Sequence, residues 1–179
     1  MAEGERPSFS ECIELTTCLF KAIEELWSKR LIHRDVKPQN VIKLNDPGRP
    51  FVLLDLGIAF SLTDPALTLN EKYVPATYRY LAPEMVSPNF RANLDYRSDL
   101  YSSALTIFEY AAYEHPLAKS GDDMIRTVSR AVYEIPKPLR KCREDLSPEY
   151  CALIDQLLKK KVALRGNLKQ MLTRLERMS

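Results

Sequence analysis

The 179-residue sequence predicts a mainly α-helical fold carrying one small β-hairpin. Three observations lead there. Apolar residues recur at helical spacing, as in Cys12, Leu15, Leu19, Ile23 and Leu26. A turn tetrapeptide, Asn45-Asp46-Pro47-Gly48, separates two short β-type runs. From about Ser98 to Tyr113 the chain is apolar on nearly every face, as in a helix buried within a helical domain.

The first helix spans roughly residues 9–28 and opens on Ser8-Phe9-Ser10-Glu11, whose serine and glutamate fit a capping box. Val41–Leu44 and Phe51–Leu54 form the hairpin strands. Residues 58–94 hold Pro65, Pro75, Pro83 and Pro88 with little periodicity and read as a long ordered loop, a feature usually tied to function. Beyond the buried helix, another runs near Asp122–Tyr133. Ser147-Pro148-Glu149 opens the next with a capping serine and a first-turn proline, continuing through Leu153, Ile154, Leu157 and Leu158. The last begins near Asn167 and carries Leu168, Met171, Leu172 and Leu175. No repeat or flexible linker interrupts this order, so a single domain over residues 1–179 is expected.

Composition narrows the function classes. An apolar share of 45% and a charged share of 28% are those of a soluble globular protein. A net charge of +2 gives no reason to expect nucleic acid or a membrane as partner. The one dense basic run, Lys159-Lys160-Lys161, reads as a solvated helix face. Cys12, Cys18, Cys142 and Cys151 form no Cys-x-x-Cys pair and lie far from His33 and His115, which argues against zinc or a disulfide framework. The start lacks the basic segment and apolar run of a secretory signal, and no stretch approaches the ~20 apolar residues that span a bilayer. A cytoplasmic, reduced protein is expected.

The chemistry concentrates between the first helix and the hairpin. His33-Arg34-Asp35-Val36-Lys37-Pro38-Gln39-Asn40 sets a carboxylate, an ammonium and an amide at a helix-to-strand corner. Asp55-Leu56-Gly57 follows at the end of the second strand. A hairpin brings Asn40 and Asp55 to neighbouring strand ends, where both oxygens can face one hard cation. Magnesium takes one or two protein carboxylates and keeps waters and substrate phosphates, so such a site suits phosphoryl transfer. Taken singly, each motif is no more than a turn or the end of a loop. Their order and spacing carry the signal.

These residues resemble the eukaryotic-type protein kinases. His33 to Asn40 is similar to their catalytic loop, and Asp55-Leu56-Gly57 to their metal-binding triplet. Ala82-Pro83-Glu84 resembles the close of the activation segment, Asp95-Tyr96-Arg97-Ser98-Asp99 the start of the central buried helix, and Leu158 through Arg165 the segment bearing a late arginine. The resemblance runs over about residues 10–178. It implies the family's C-terminal lobe, helices E through I, without the β-rich N-terminal lobe: first helix at about 8–30, catalytic loop and metal-binding hairpin at 33–57, activation segment at 58–84, helical subdomain at 95–178.

The resemblance also implies roles. Asp35 would accept or orient the proton of a substrate hydroxyl, and Lys37 would neutralise charge on the transferring phosphoryl group. Asn40 and Asp55 would hold Mg2+, and Ile42 would lie beneath the adenine of ATP. Glu84 and Arg165 would form a buried ion pair, and Asp99 would brace the backbone near His33. Lys37 and Thr77 fit the serine/threonine-specific pattern. Arg34 could receive a phosphorylated loop residue, with Tyr73 at the usual position and Thr68, Thr63 and Ser61 as alternatives.

The pattern has departures. Leu56 stands where phenylalanine is usual, Ala76 and Ala104 where glycine is, and Lys161-Val162 where Asp-Pro is. Five glycines, at 4, 48, 57, 121 and 166, leave no glycine-rich phosphate loop. The residues before His33 leave no room for the strand lysine that grips nucleotide phosphates. The expectation is therefore half of a serine/threonine protein kinase, inactive or very weak alone. A protein partner would cover its exposed top and could supply the missing lobe in trans; otherwise the chain is one piece of a longer kinase. A kinase-like scaffold and a small-molecule phosphotransferase are the competing readings.

Overall fold

A computed structural model of the protein describes residues 6–55, 60–61, 77–87, 90 and 94–178, with backbone alone at positions 60, 61 and 77. Five α-helices are its main elements, joined by short 3-10 turns and two pairs of very short strands.

Helix α1 (Phe9–Ser28) begins where the capping box predicts: the Glu11 amide donates to Ser8 Oγ and the Ser8 amide to Glu11 Oε2. Its inner face buries Cys12, Leu15, Leu19 and Ile23, together with Ile13, Thr16 and Phe20. Leu26 is only half-buried.

Strand β1 (Leu31–Ile32) follows, then β2 (Val41–Lys43) and β3 (Phe51–Leu53). The β2–β3 pair is the expected hairpin, antiparallel, with Val41 opposite Leu53 and Lys43 opposite Phe51. A second antiparallel pair joins β1 to β4 (Phe60–Ser61) and adds a two-stranded piece the sequence did not suggest.

Helix α2 (Tyr96–Ala112) is the axis of the molecule. Asp95 caps it, and Ala104, Leu105, Ile107, Phe108 and Ala111 are among its buried residues. Helix α4 (Pro148–Leu157) packs on α2, α5 (Leu168–Glu176) on α1, and α3 (Met124–Tyr133) on the Thr77–Tyr80 and Pro83–Val86 turns; Asp123 caps α3, Ser147 α4 and Asn167 α5. The four cysteines are free thiols.

The basic run departs from its expected place. Helix α4 ends at Leu157, so Lys159 to Lys161 form the turn leading to Val162–Arg165 rather than a helix face. Lys160 folds inward: its Nζ donates to the Ala131 carbonyl at the end of α3, 2.6 Å away, and stands over the Tyr101 ring. Desolvation and the nearby Arg165 guanidinium pull its pKa down to about 8.

Candidate active site

The segment after β1 is held by a few specific bonds. Pro38–Asn40 forms one 3-10 turn, with proline in its first turn, and delivers Asn40 to the start of β2. Asn40 is buried, and its Nδ2 donates to the Asp35 carbonyl (2.8 Å) and to Asp35 Oδ2 (3.0 Å). Lys37 Nζ lies 2.7 Å from that same Oδ2, with both side chains largely covered. Two groups, the Lys37 ammonium and the Asn40 amide, thus converge on one oxygen of the Asp35 carboxylate. The other, Asp35 Oδ1, is buried and has no hydrogen-bond partner among the described residues. A buried carboxylate oxygen normally finds a donor.

His33 ties this loop to β3. Its Nε2 meets the Leu54 carbonyl at 3.1 Å, and its Nδ1 accepts from the Asp35 amide at 3.3 Å. Only a neutral imidazole carrying its proton on Nε2 makes both bonds, and burial holds its pKa below the ordinary value. The Leu54 amide in turn donates to the Asn40 carbonyl at 2.8 Å. Leu54 is therefore fixed at both its amide and its carbonyl, which sets Asp55 beside Asn40 at the mouth of the hairpin. Arg34 and Asp55 both take positive φ, 65° and 67°, a strained choice for non-glycine residues that the surrounding bonds must sustain.

Asp99 braces the loop from below, its Oδ2 accepting the His33 amide (2.8 Å) and its Oδ1 the Arg34 amide (2.9 Å). Complete burial pushes its carboxyl up to about 6, although both amides favour the charged form.

Farther along, Glu84 and Arg165 meet in a bidentate pair at 2.6 and 2.7 Å, with Arg165 fully buried. Ser98 Oγ adds a bond of 2.6 Å to Glu84, and Arg165 also donates to the carbonyls of Arg97, Lys159 and Lys160. Burial pushes the Glu84 carboxyl up, but the guanidinium outweighs it and the net pKa is lowered. This network holds the Pro83–Val86 turn against α2 and the Val162–Arg165 turn.

Ile42, Leu44 and Leu54 stand on the rim of the site, 43%, 38% and 41% exposed. A cleft of about 310 Å³ opens beside the loop, lined by Pro38, Gln39, Tyr80, Glu109 and Tyr110 among others. Leu56, Gly57 and Tyr73 lie outside the described residues, as do Thr63 and Thr68; for Ser61 and Thr77 only the backbone is described.

Two contributors were not singled out from sequence, Ser98 and the Leu54 backbone. Ser98 sits next to Asp99 in the first turn of α2, a local signal. The Leu54 peptide carries no side-chain signature, so nothing in the sequence could have revealed it.

Chemically, the arrangement offers a carboxylate with an open oxygen, an ammonium beside it, and two oxygen-bearing side chains at one hairpin mouth. Both Nδ2 bonds of Asn40 go to Asp35, which leaves its Oδ1 as the ligand atom. Asn40 and Asp55 are the oxygen-bearing residues that could hold a magnesium ion, which takes few protein oxygens and completes its shell with water and phosphate. Among the described residues no group of three or more His, Cys, Asp and Glu could hold a metal unaided.

Comparison with known proteins shows the family. The chain is 31% identical over 155 residues to the dual specificity mitogen-activated protein kinase kinase mek-1 of Caenorhabditis elegans, covering 86% of this chain and 42% of that one. It is 32% identical over 148 residues to mitogen-activated protein kinase kinase 1 of Arabidopsis thaliana, covering 80% and 40%. Against the serine/threonine-protein kinase PknF of Mycobacterium tuberculosis it is 37% identical over 100 residues, covering 55% and 20%. The chain thus spans less than half the length of these relatives. A family model described as protein kinase domain matches residues 4–175, and on that match the chain belongs to the protein kinase family.

Proposed function

We propose that this chain is the catalytic C-terminal half of a serine/threonine protein kinase, transferring the γ-phosphate of ATP to a protein hydroxyl. Asp35 accepts or orients the hydroxyl proton at its open Oδ1. Lys37 leaves its pair with Asp35 to neutralise the phosphoryl group in flight, and Asn40 and Asp55 hold the magnesium that ATP brings. The observation that carries this reading is the Asp35 carboxylate, whose Oδ2 holds an ammonium and an amide while its buried Oδ1 has no donor among the described residues.

The nucleotide is clamped from above by a second lobe, supplied by a partner polypeptide or by another part of a longer chain. The open apolar rim of Ile42, Leu44 and Leu54 supports this, since such a surface marks a contact. Arg34 and a phosphorylated residue of the 58–84 segment would then regulate the site.

The test is a phosphotransfer assay on the complex purified from its native source, with Asp35→Asn and Asp55→Asn as controls. Transfer to serine or threonine that each variant lowers at least ~100-fold is expected. A complex that forms and functions with no measurable transfer, in wild type and variants alike, would make the chain a kinase-like scaffold instead.

A further inference from the structure

Between the end of α4 and the segment that follows α3 lies a cavity of about 300 Å³, walled by Tyr133, Ile135, Pro136, Pro138 and Leu158. Ligand pockets run from ~300 to ~1,000 Å³, so this one suits a molecule of few heavy atoms. Two half-buried charges also line it, Asp155 from α4 and Lys160 from the turn beyond. Asp155 Oδ1 accepts the Leu139 amide at 3.0 Å. The Lys160 ammonium donates to the Ala131 carbonyl at 2.6 Å and, at 3.4 Å, to the Tyr101 hydroxyl. Those partners are uncharged, and among the described residues neither side chain forms an ion pair, with the other or elsewhere. Half-buried charges without a counter-ion are costly. Burial accordingly moves both toward the neutral form, the Asp155 pKa upward and, helped by Arg165, the Lys160 pKa downward. Beyond the bonds named, Asp155 keeps its Oδ2 and Lys160 one proton.

We propose that this cavity binds an α-amino dicarboxylic acid, with its ammonium on Asp155 and its two carboxylates on Lys159 and Lys160. The charge count argues for that class. Lys159 stands on the exposed rim of the cavity, and Glu134, the remaining charged group of its lining, is already held by Arg130 at 2.7 and 2.9 Å. One carboxylate and two ammonium groups are therefore left to a ligand. A molecule with one cation and two anions neutralises all three. A plain dicarboxylate leaves Asp155 without a counter-ion, and a simple amine leaves both lysines. Placement agrees as well. Lys159 is close enough to Asp155 to oppose the rise in its pKa, as suits a ligand whose α-ammonium and α-carboxylate share one carbon. The second carboxylate extends along the apolar wall to Lys160. The site is independent of the proposed phosphotransfer, since none of its residues belongs to the Asp35 cluster.

Titration of the isotope-labelled full chain with L-glutamate, followed by heteronuclear NMR, tests it. The Leu139 amide, which donates to Asp155, is the reporter. A saturable shift of that amide is expected, with a dissociation constant in the millimolar range or tighter. Glutarate, which lacks the ammonium, should bind at least about tenfold more weakly, because it leaves a charged hydrogen bond unmade. Asp155→Asn keeps an acceptor for the Leu139 amide, and Lys159→Ala changes an exposed side chain, so neither puts the fold at stake. Each should weaken L-glutamate about tenfold. No saturable shift up to about 50 mM, glutarate binding as tightly as L-glutamate, or affinity indifferent to both substitutions overturns the proposal.

Discussion

Arg165 is fully buried, and its guanidinium is spoken for at every nitrogen: Glu84 takes two bonds and three backbone carbonyls take the rest. A buried pair of this kind costs most when only one partner is removed, because the other charge then stays in a low dielectric. Glu84→Ala and Arg165→Ala should therefore each destabilise by about 3–5 kcal/mol in urea unfolding. Arg165→Lys should recover little of it, since an ammonium cannot reproduce the planar fork. The double variant should lose clearly less than the sum of the two single losses, and strict additivity would show the pair is not coupled. At this scale the sequence was partly legible. The late arginine and Ala82-Pro83-Glu84 could be matched to a pattern 81 residues apart. The inward turn of Lys160 could not, because a lysine run looks the same whether its middle member faces water or a carbonyl.

The helices were the most legible elements, since each carries its own start signal. Ser8, Asp95, Asp123, Ser147 and Asn167 all accept first-turn amides, an effect local to three or four residues. The end of α2 is less comfortable. Its C-cap, Tyr113, takes φ 57° in the left-handed region, where a side chain is strained and glycine is favoured. Tyr113 also makes a contact of its own. Tyr113→Gly should still raise stability by up to ~1 kcal/mol, read as an increased thermal midpoint. A lowered midpoint would mean that what the side chain contributes outweighs the backbone strain. The β1–β4 pair shows the opposite limit. Its strands are two residues each, too short for alternation to register, and they meet only because the rest of the chain brings them together.

Across the whole molecule, acid should be felt first through His115. Its Nδ1 accepts the amides of Leu117 and Ala118, and its Nε2 meets the Arg79 carbonyl at 3.0 Å, so it joins the loop after α2 to the Thr77–Tyr80 turn. Burial and the Arg79 charge hold its pKa down to about 4. An unfolded histidine titrates near ~6.5. Between those values the unfolded chain binds a proton that the native chain refuses, so native stability falls as pH is lowered from about 6.5 to about 4, by ~3 kcal/mol. Asp99, raised to about 6, works in the other direction over part of this window, because the native state takes up its proton first. The measurement is therefore a difference. Wild type minus His115→Gln, followed by denaturation from about pH 7 to about pH 4, should shrink steadily; a constant gap would show that His115 does not resist protonation.

What the sequence determined by itself was the local grammar: five helices, with caps at Ser8 and Ser147, one hairpin with its turn, and an ordered motif string that marked Asp35, Lys37, Asn40 and Asp55. Those are effects of neighbours a few residues apart, and they leave their trace in the order of the letters. Only the tertiary structure decided that Asp35 keeps one oxygen without a donor among the described residues, that the Leu54 peptide joins the loop to the hairpin, and that α3 turns Ile125 and Tyr133 outward. The reason is physical: burial and backbone hydrogen bonding between distant segments depend on what the whole chain packs against, and peptide groups are the same at every position.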